Sequence, residues 1–119
     1  MNIGATGKNG EDRVAEYLRR QGYKVLLRNF VCKKGEIDIV AEKGEYIVFV
    51  EVKTRKADTL VSGREAVADF KRQRMLSAAK EFIAKTRTEK TARFDVAEVT
   101  ITEADGKAKY SLNYIKNAF

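Results

Sequence analysis

EIDIVA (36–41) and YIVFVEVK (46–53) stand on either side of Glu42-Lys43-Gly44-Glu45, and the reading of this stretch decides the fold. Both runs have strand length and strand composition, and the charged quartet around Gly44 is turn-like, so the segment reads as a β-hairpin. From Ile47 to Val52 the chain is apolar on both faces apart from Glu51, as in a central strand covered on two sides. Acids set into such strands need a reason, because a buried charge without a partner is strongly disfavoured. Strand alternation puts Ile47, Phe49, Glu51 and Lys53 on one face of the second strand, and Glu36, Asp38 and Val40 on one face of the first. If Glu42 pairs with Glu45, Asp38 lies opposite Phe49 and Glu36 opposite Glu51. Asp38 and Glu51 are then diagonal neighbours about 7 Å apart at the backbone. A three-residue loop or a bulge would separate them.

Outward from the hairpin, KNGEDRVAEYLRRQ (8–21) places Glu11, Val14, Ala15 and Leu18 on one helical face, with Gly22 as a natural stop. YKVLLRNF (23–30) reads as a strand. From about Ser62 to Thr86 the pattern is helical, with Ala66, Val67, Phe70, Met75, Leu76, Ala79, Phe82 and Ile83 as the core-facing stripe and a basic opposite face. RFDVAEVTI (93–101) returns to strand, and Asp105-Gly106 marks a tight hairpin into AKYSLNYI. The order is helix, three strands, long helix, two strands: a single α/β domain over residues 1–119, with a mixed five-stranded sheet flanked by helices.

Composition narrows the chemistry. The 119 residues contain no His, no Pro, no Trp and one Cys, so imidazole catalysis, imidazole metal ligands and an internal disulfide are excluded. Cys32 has no partner for nucleophilic work. Nothing resembles a signal peptide or a membrane-spanning apolar run, so a soluble cytoplasmic protein without a membrane partner is expected. The formal charge is +7, from 24 Lys and Arg against 17 Asp and Glu. Residues 53–93 hold 12 basic and 5 acidic side chains, while the rest of the chain is balanced. A surplus confined to one segment suits a polyanion such as nucleic acid, although a solvated basic helix has the same composition.

Two carboxylates without histidine make a hard oxygen site, which favours Mg²⁺ or Mn²⁺ over zinc. Lys53, two residues past Glu51, returns to the same face and can reach an attacking water or a phosphate oxygen. Together these are a minimal kit for phosphodiester hydrolysis. Free lysine titrates at about 10.4, so a role as a base needs a downward shift, whereas stabilising transition-state charge does not. The structural alternative is a cross-strand ion network of Glu36, Asp38, Glu51 and Lys53, worth under about 1 kcal/mol per exposed pair. Asp95, in the fourth strand, either supports the site or pairs with Arg93 or a nearby lysine.

Gly10-Glu11, Ala15, Tyr17-Leu18, Arg28-Asn29, GEIDIVA (35–41), VFVEVKTR (48–55), Ala66-Val67, Lys71 and Arg93-Phe94-Asp95-Val96 together resemble the YraN family of bacterial proteins. The resemblance covers nearly the whole chain, and the GEIDIVA and VFVEVKTR pair is specific to it. That family is similar to the PD-(D/E)xK nucleases, archaeal Holliday junction resolvases especially, which implies a restriction-endonuclease-like fold and a Mg²⁺-dependent (or Mn²⁺-dependent) endonuclease acting on DNA, branched DNA included. Carried over by motif, Asp38 and Glu51 hold the metal with the Val52 backbone carbonyl, and Lys53 orients the nucleophile. Glu11 binds through water or a second metal. Ile37 stands where the motif name has proline, which leaves the ligand geometry intact.

Arg55, Lys56, Lys71, Arg72 and Arg74 are the candidates for phosphate contacts, with the loop 55–63 as a substrate clamp. A resolvase-like mode requires a homodimer. The rival readings are a nucleic-acid-binding module of the same fold that does not cleave, and a basic segment that docks an acidic protein with the hairpin acids merely structural.

Overall fold

The computed structural model describes residues 3–57 and 69–119, with side chains from 10–57 and 70–119. Helix α1 (Ile3–Arg20) is followed by β1 (Lys24–Cys32), β2 (Gly35–Lys43) and β3 (Tyr46–Lys56), then α2 (Asp69–Thr86), β4 (Thr91–Ala104) and β5 (Lys107–Ile115). The strands form one sheet in sequence order, antiparallel throughout except for the parallel β3–β4 pair that the α2 crossover requires. This is a restriction-endonuclease-like α/β arrangement. No helix among the described residues is long and apolar enough to cross a membrane.

The expected elements are present. Helix α1 ends at Gly22, which takes φ +90° while the Tyr23 amide donates to the Leu18 carbonyl and the Gly22 amide to that of Arg19. This is the Schellman closure that a glycine stop permits, and Tyr23 and Leu18 then pack in one core. Asp105 and Gly106 both adopt positive φ, as a two-residue turn between right-twisted strands demands. Helix α2 ends at Thr86 as expected, and its start is Asp69. The expected beginning at Ser62, with Ala66 and Val67, lies outside the described residues.

Each face of the sheet carries one helix. Val14, Ala15 and Leu18 of α1 pack with Ile39, Ala41, Val48, Val50, Ala97 and Val99, all buried. On the other face Ala78, Ala79 and Phe82 of α2 cover Ile37, Val40, Ile47 and Phe49. Phe82 meets Phe30 and Phe49 edge-on at 5.7 and 5.8 Å, and the stack continues through Phe94 to Phe119. Met75 is buried as expected, but Leu76 and Phe70 are exposed, so the core-facing stripe is narrower than the sequence pattern suggests. A helix lying on a sheet buries only the residues directed at it, and Leu76 is turned past the contact.

Two corrections concern the hairpin. Its turn is Gly44 and Glu45 alone, with Gly44 at φ +58°, and Lys43 pairs with Tyr46. Glu42 therefore faces Ile47 and not Glu45, which slides the register by two and keeps every side chain on its face. The alternation of β2 also fails in its first half: Ile37 belongs to the α2 core, whereas Ile39 belongs to the α1 core. Beside it in β1, Asn29 takes φ +56° and no Asn29–Asp38 pair forms between Arg28–Ile39 and Phe30–Ile37, so both strands are irregular at the same level.

Asp95 is fully buried and belongs to the framework. Arg93 holds both its oxygens, Tyr114 donates a 2.6 Å hydrogen bond, the Asn117 amide adds another at 2.8 Å, and Arg93 also reaches Tyr23. Every lone pair that burial strips of water is thus repaid, which is the condition for keeping a charge in a core.

Close packing of α2 against the β1–β2 turn rests on Gly35, where a Cβ would overlap the backbone carbonyl of Arg74. We expect Gly35→Ala to lower stability by about 1–3 kcal/mol, read as a lower urea midpoint with an unchanged slope. An unchanged midpoint would mean that α2 is not seated on this turn.

Candidate functional site

The β2–β3 ladder ends at Ile39–Val50. One residue further on, this register brings Asp38 level with Glu51, where the expected register made them diagonal, but no ladder pair forms between them. There the strands part. Continuing the ladder would give the Val52 amide to the Ile37 carbonyl; instead the Asp38 carboxylate accepts it at 2.8 Å. A residue's amide and carbonyl leave a strand on the same edge, so the Val52 carbonyl also faces the opening beside Asp38. Beyond this point β3 stays paired to β4 as far as Lys56–Ile101.

Into this opening the α2 face of β3 presents Glu51, which is 3% exposed, and then Lys53. Lys71, from the first turns of α2, closes an ion pair with Glu51. Burial would lower the Lys71 pKa, but the hydrogen bond and charge of Glu51 outweigh it and the net shift is upward. The Asp38 carboxyl is pushed up to about 7, first by burial and then by the charge of Glu51, against the Val52 hydrogen bond. Lys53 is shifted down, by burial and by Arg55 and Lys71, with Glu51 and Glu98 opposing. Glu98 pairs with Lys53 across the β3–β4 ladder, a neighbour that becomes visible only once the parallel register is fixed.

Glu11 is placed differently. It lies on the α1 side, brought close because Gly10 leaves no room for a side chain against Thr54 of β3. Arg28 and Asn29 donate to its carboxylate at 2.8 and 3.1 Å, and its charge contributes to the raised Asp38 pKa. Among the described residues no group of three acids is placed to hold one metal ion; Asp38 feels the charge of Glu51 first and that of Glu11 less. The sequence reading missed what Arg28 and Asn29 do, although both are in the motif: they hold Glu11, and Asn29 turns the strand.

The basic candidates divide. Lys71 is on Glu51, and Arg74 lies 3.9 Å from Glu36 and 5.9 Å from the Phe70 ring centre. Arg72 is turned inward, its guanidinium 5.3 Å from the Phe119 ring and its Nε buried without a hydrogen-bond partner among the described residues. Alternation puts Arg55 on the Glu51 face and Lys56 on the other. Most of the loop 55–63 lies outside the described residues.

The mixed five-stranded sheet with a helix on each face is the restriction-endonuclease-like fold, and Asp38, Glu51 and Lys53 lie where its sheet splits. Residues 10–99 match the model of Uncharacterised protein family UPF0102. The chain belongs to that family. It is similar to UPF0102 proteins of Caldicellulosiruptor saccharolyticus (39% identical, covering 100% of both chains), Geobacter metallireducens (44%, covering 95% and 90%) and Syntrophomonas wolfei (46%, covering 92% and 93%).

Lys71 neutralises the buried Glu51 carboxylate. Removing it strands a buried carboxylate, so Lys71→Met should destabilise the metal-free protein by about 1–3 kcal/mol. Mn²⁺ should then raise the melting temperature of the variant more than that of the parent, because one cation replaces another. Equal shifts would show that Lys71 does not neutralise this site.

Proposed function

We propose that this protein is a divalent-metal-dependent nuclease that hydrolyses phosphodiester bonds in DNA, branched DNA included. The observation that carries the reading is the pair formed by Asp38 and Glu51 at the split between β2 and β3, a pocket of negative charge that already draws an ammonium group. The donor set fits Mg²⁺ or Mn²⁺: two carboxylates and the Val52 carbonyl, all oxygen, with room in the coordination shell for water. Such a cation, when bound, supplies positive charge to the scissile phosphate and acidifies a water.

The chain's own groups do the rest. Asp38 and Glu51 would hold the cation, one from β2 and one from β3. Lys53, on the Glu51 face with its pKa shifted down, donates to the attacking water or a phosphoryl oxygen and stabilises the charge that gathers there. Lys71, displaced from Glu51, becomes available to a neighbouring phosphate, with Arg55 and Arg74 as further contacts. Glu11 keeps Arg28 and Asn29 in place and so holds the turn in β1 that frees Asp38 from its ladder.

Flap, junction, single-stranded and duplex DNA incubated with the protein in Mg²⁺ or Mn²⁺ tests the reading. We expect cleavage that falls by about 100-fold or more in Asp38→Ala and Lys53→Ala. Cleavage unaffected by both substitutions would sink the site. Salt-sensitive DNA binding without cleavage would instead favour the binding module, a reading to which the Lys71–Glu51 ion pair also lends itself.

Metal binding must expel the proton that Asp38 retains below about pH 7. The raised pKa belongs to an acid, so the competent carboxylate is lost as pH falls through that value. Calorimetry with Mn²⁺ should show affinity nearly flat above about pH 7.5 and falling about tenfold per unit below about 6.5, with proton release on binding. Affinity independent of pH would remove Asp38 from the ligand set.

A further inference from the structure

We infer that Phe70 is a stacking platform for an unpaired nucleobase at the rim of the candidate site. The inference rests on the nucleic-acid reading above and specifies which form of the polymer the site accepts.

Phe70 is 70% exposed at the start of α2, although the sequence pattern assigns it to the core. The other aromatic rings nearby are used. Phe30, Phe49, Phe82, Phe94 and Phe119 stack on one another, and Tyr17 lies on Tyr114 at 5.3 Å. Phe70 makes no ring–ring contact among the described residues, and Arg74 is its cationic neighbour at 5.9 Å. Among the described residues the buried positions of α2 are Met75, Ala78, Ala79 and Phe82, and Phe70 is not one of them.

Its position supplies the reason. The next residue, Lys71, reaches Glu51, so the ring stands one residue from the group that bonds the site carboxylate. Lys71 and Arg74 lie near it on α2, paired with Glu51 and with the exposed Glu36, and the exposed Lys33 and Lys34 form the β1–β2 turn that packs against Arg74 through Gly35. Cations that take a phosphate backbone, with one free aromatic face among them, are the elements of a single-strand binding groove. In continuous duplex both faces of every base are covered by its neighbours. Only an unpaired, terminal or extruded base offers a free face, so Phe70 reads strandedness while the cations read the backbone.

The chain has no tryptophan, so Phe70→Trp installs a single fluorophore at the point in question. The test uses the full chain without divalent metal, so that binding is read apart from cleavage, with single-stranded oligothymidylate and a relaxed, covalently closed circular duplex as probes. We expect oligothymidylate to quench the tryptophan, and Phe70→Ala to weaken binding of oligothymidylate by about 5- to 150-fold while changing duplex binding less than about twofold. Phe70→Tyr should restore single-strand binding, which separates loss of a π-face from any change in folding. Equal weakening on both probes, no weakening on either, or an unquenched tryptophan overturns the stacking role and leaves the nuclease reading standing. Absence of binding to either probe by the parent protein overturns the stacking role as well, while the nuclease reading is decided by the cleavage assay with metal.

Discussion

The hydrogen bond from the Val52 amide to the Asp38 carboxylate is the constraint on which the candidate site depends. It ends one ladder and begins a site with the same atoms. A central strand covered on two faces must satisfy its amides, and here a side chain does what a main-chain carbonyl does elsewhere in the hairpin. Because the acceptor is a carboxylate, the point where the sheet opens is also where negative charge is fixed. The strands then diverge: β2 stays with β1 toward Gly35, and β3 continues along β4.

What surrounds the opening follows from this division. Helix α2 brings Lys71 to Glu51 from one face, and α1 brings Glu11 to Arg28 and Asn29 from the other. Two glycines set the distances, Gly10 against β3 and Gly35 against α2, each at a contact where a side chain would intrude. The second buried acid, Asp95, is treated differently. Its oxygens are filled by Arg93, Tyr114 and the Asn117 amide, so it ties β4 to the chain end and has no capacity left for a ligand. Asp38 is half-buried, accepts from the Val52 amide and has a raised pKa, whereas Asp95 is fully buried and saturated.

The charge distribution has the same logic. The basic surplus of residues 53–93 is not a uniform solvated face. Lys71 neutralises a buried acid, Arg72 lies over Phe119, Arg93 is spent on Asp95, and Arg74 stands between Glu36 and Phe70. Several cations thus have local partners, and Lys90 is held at the far end of the hairpin by Glu42 and the Gly44 carbonyl.

The element order, the hairpin, the glycine stop of α1, the Asp-Gly turn and the grouping of Glu51 with Lys53 on one face were all determined by the sequence alone. Period-2 alternation, helical spacing and turn chemistry are local, and a register slip of two does not disturb them. The tertiary structure alone decided the rest: Asp38 level with Glu51 and not diagonal to it, Ile37 and Ile39 on different faces, Glu11 held by Arg28 and Asn29, Glu98 beside Lys53, Asp95 saturated, and Phe70 exposed. Each of these depends on how separate segments meet across the sheet, and the left-handed turn at Asn29 and the seating of α2 on Gly35 leave no periodic signal by which that meeting could be read in advance.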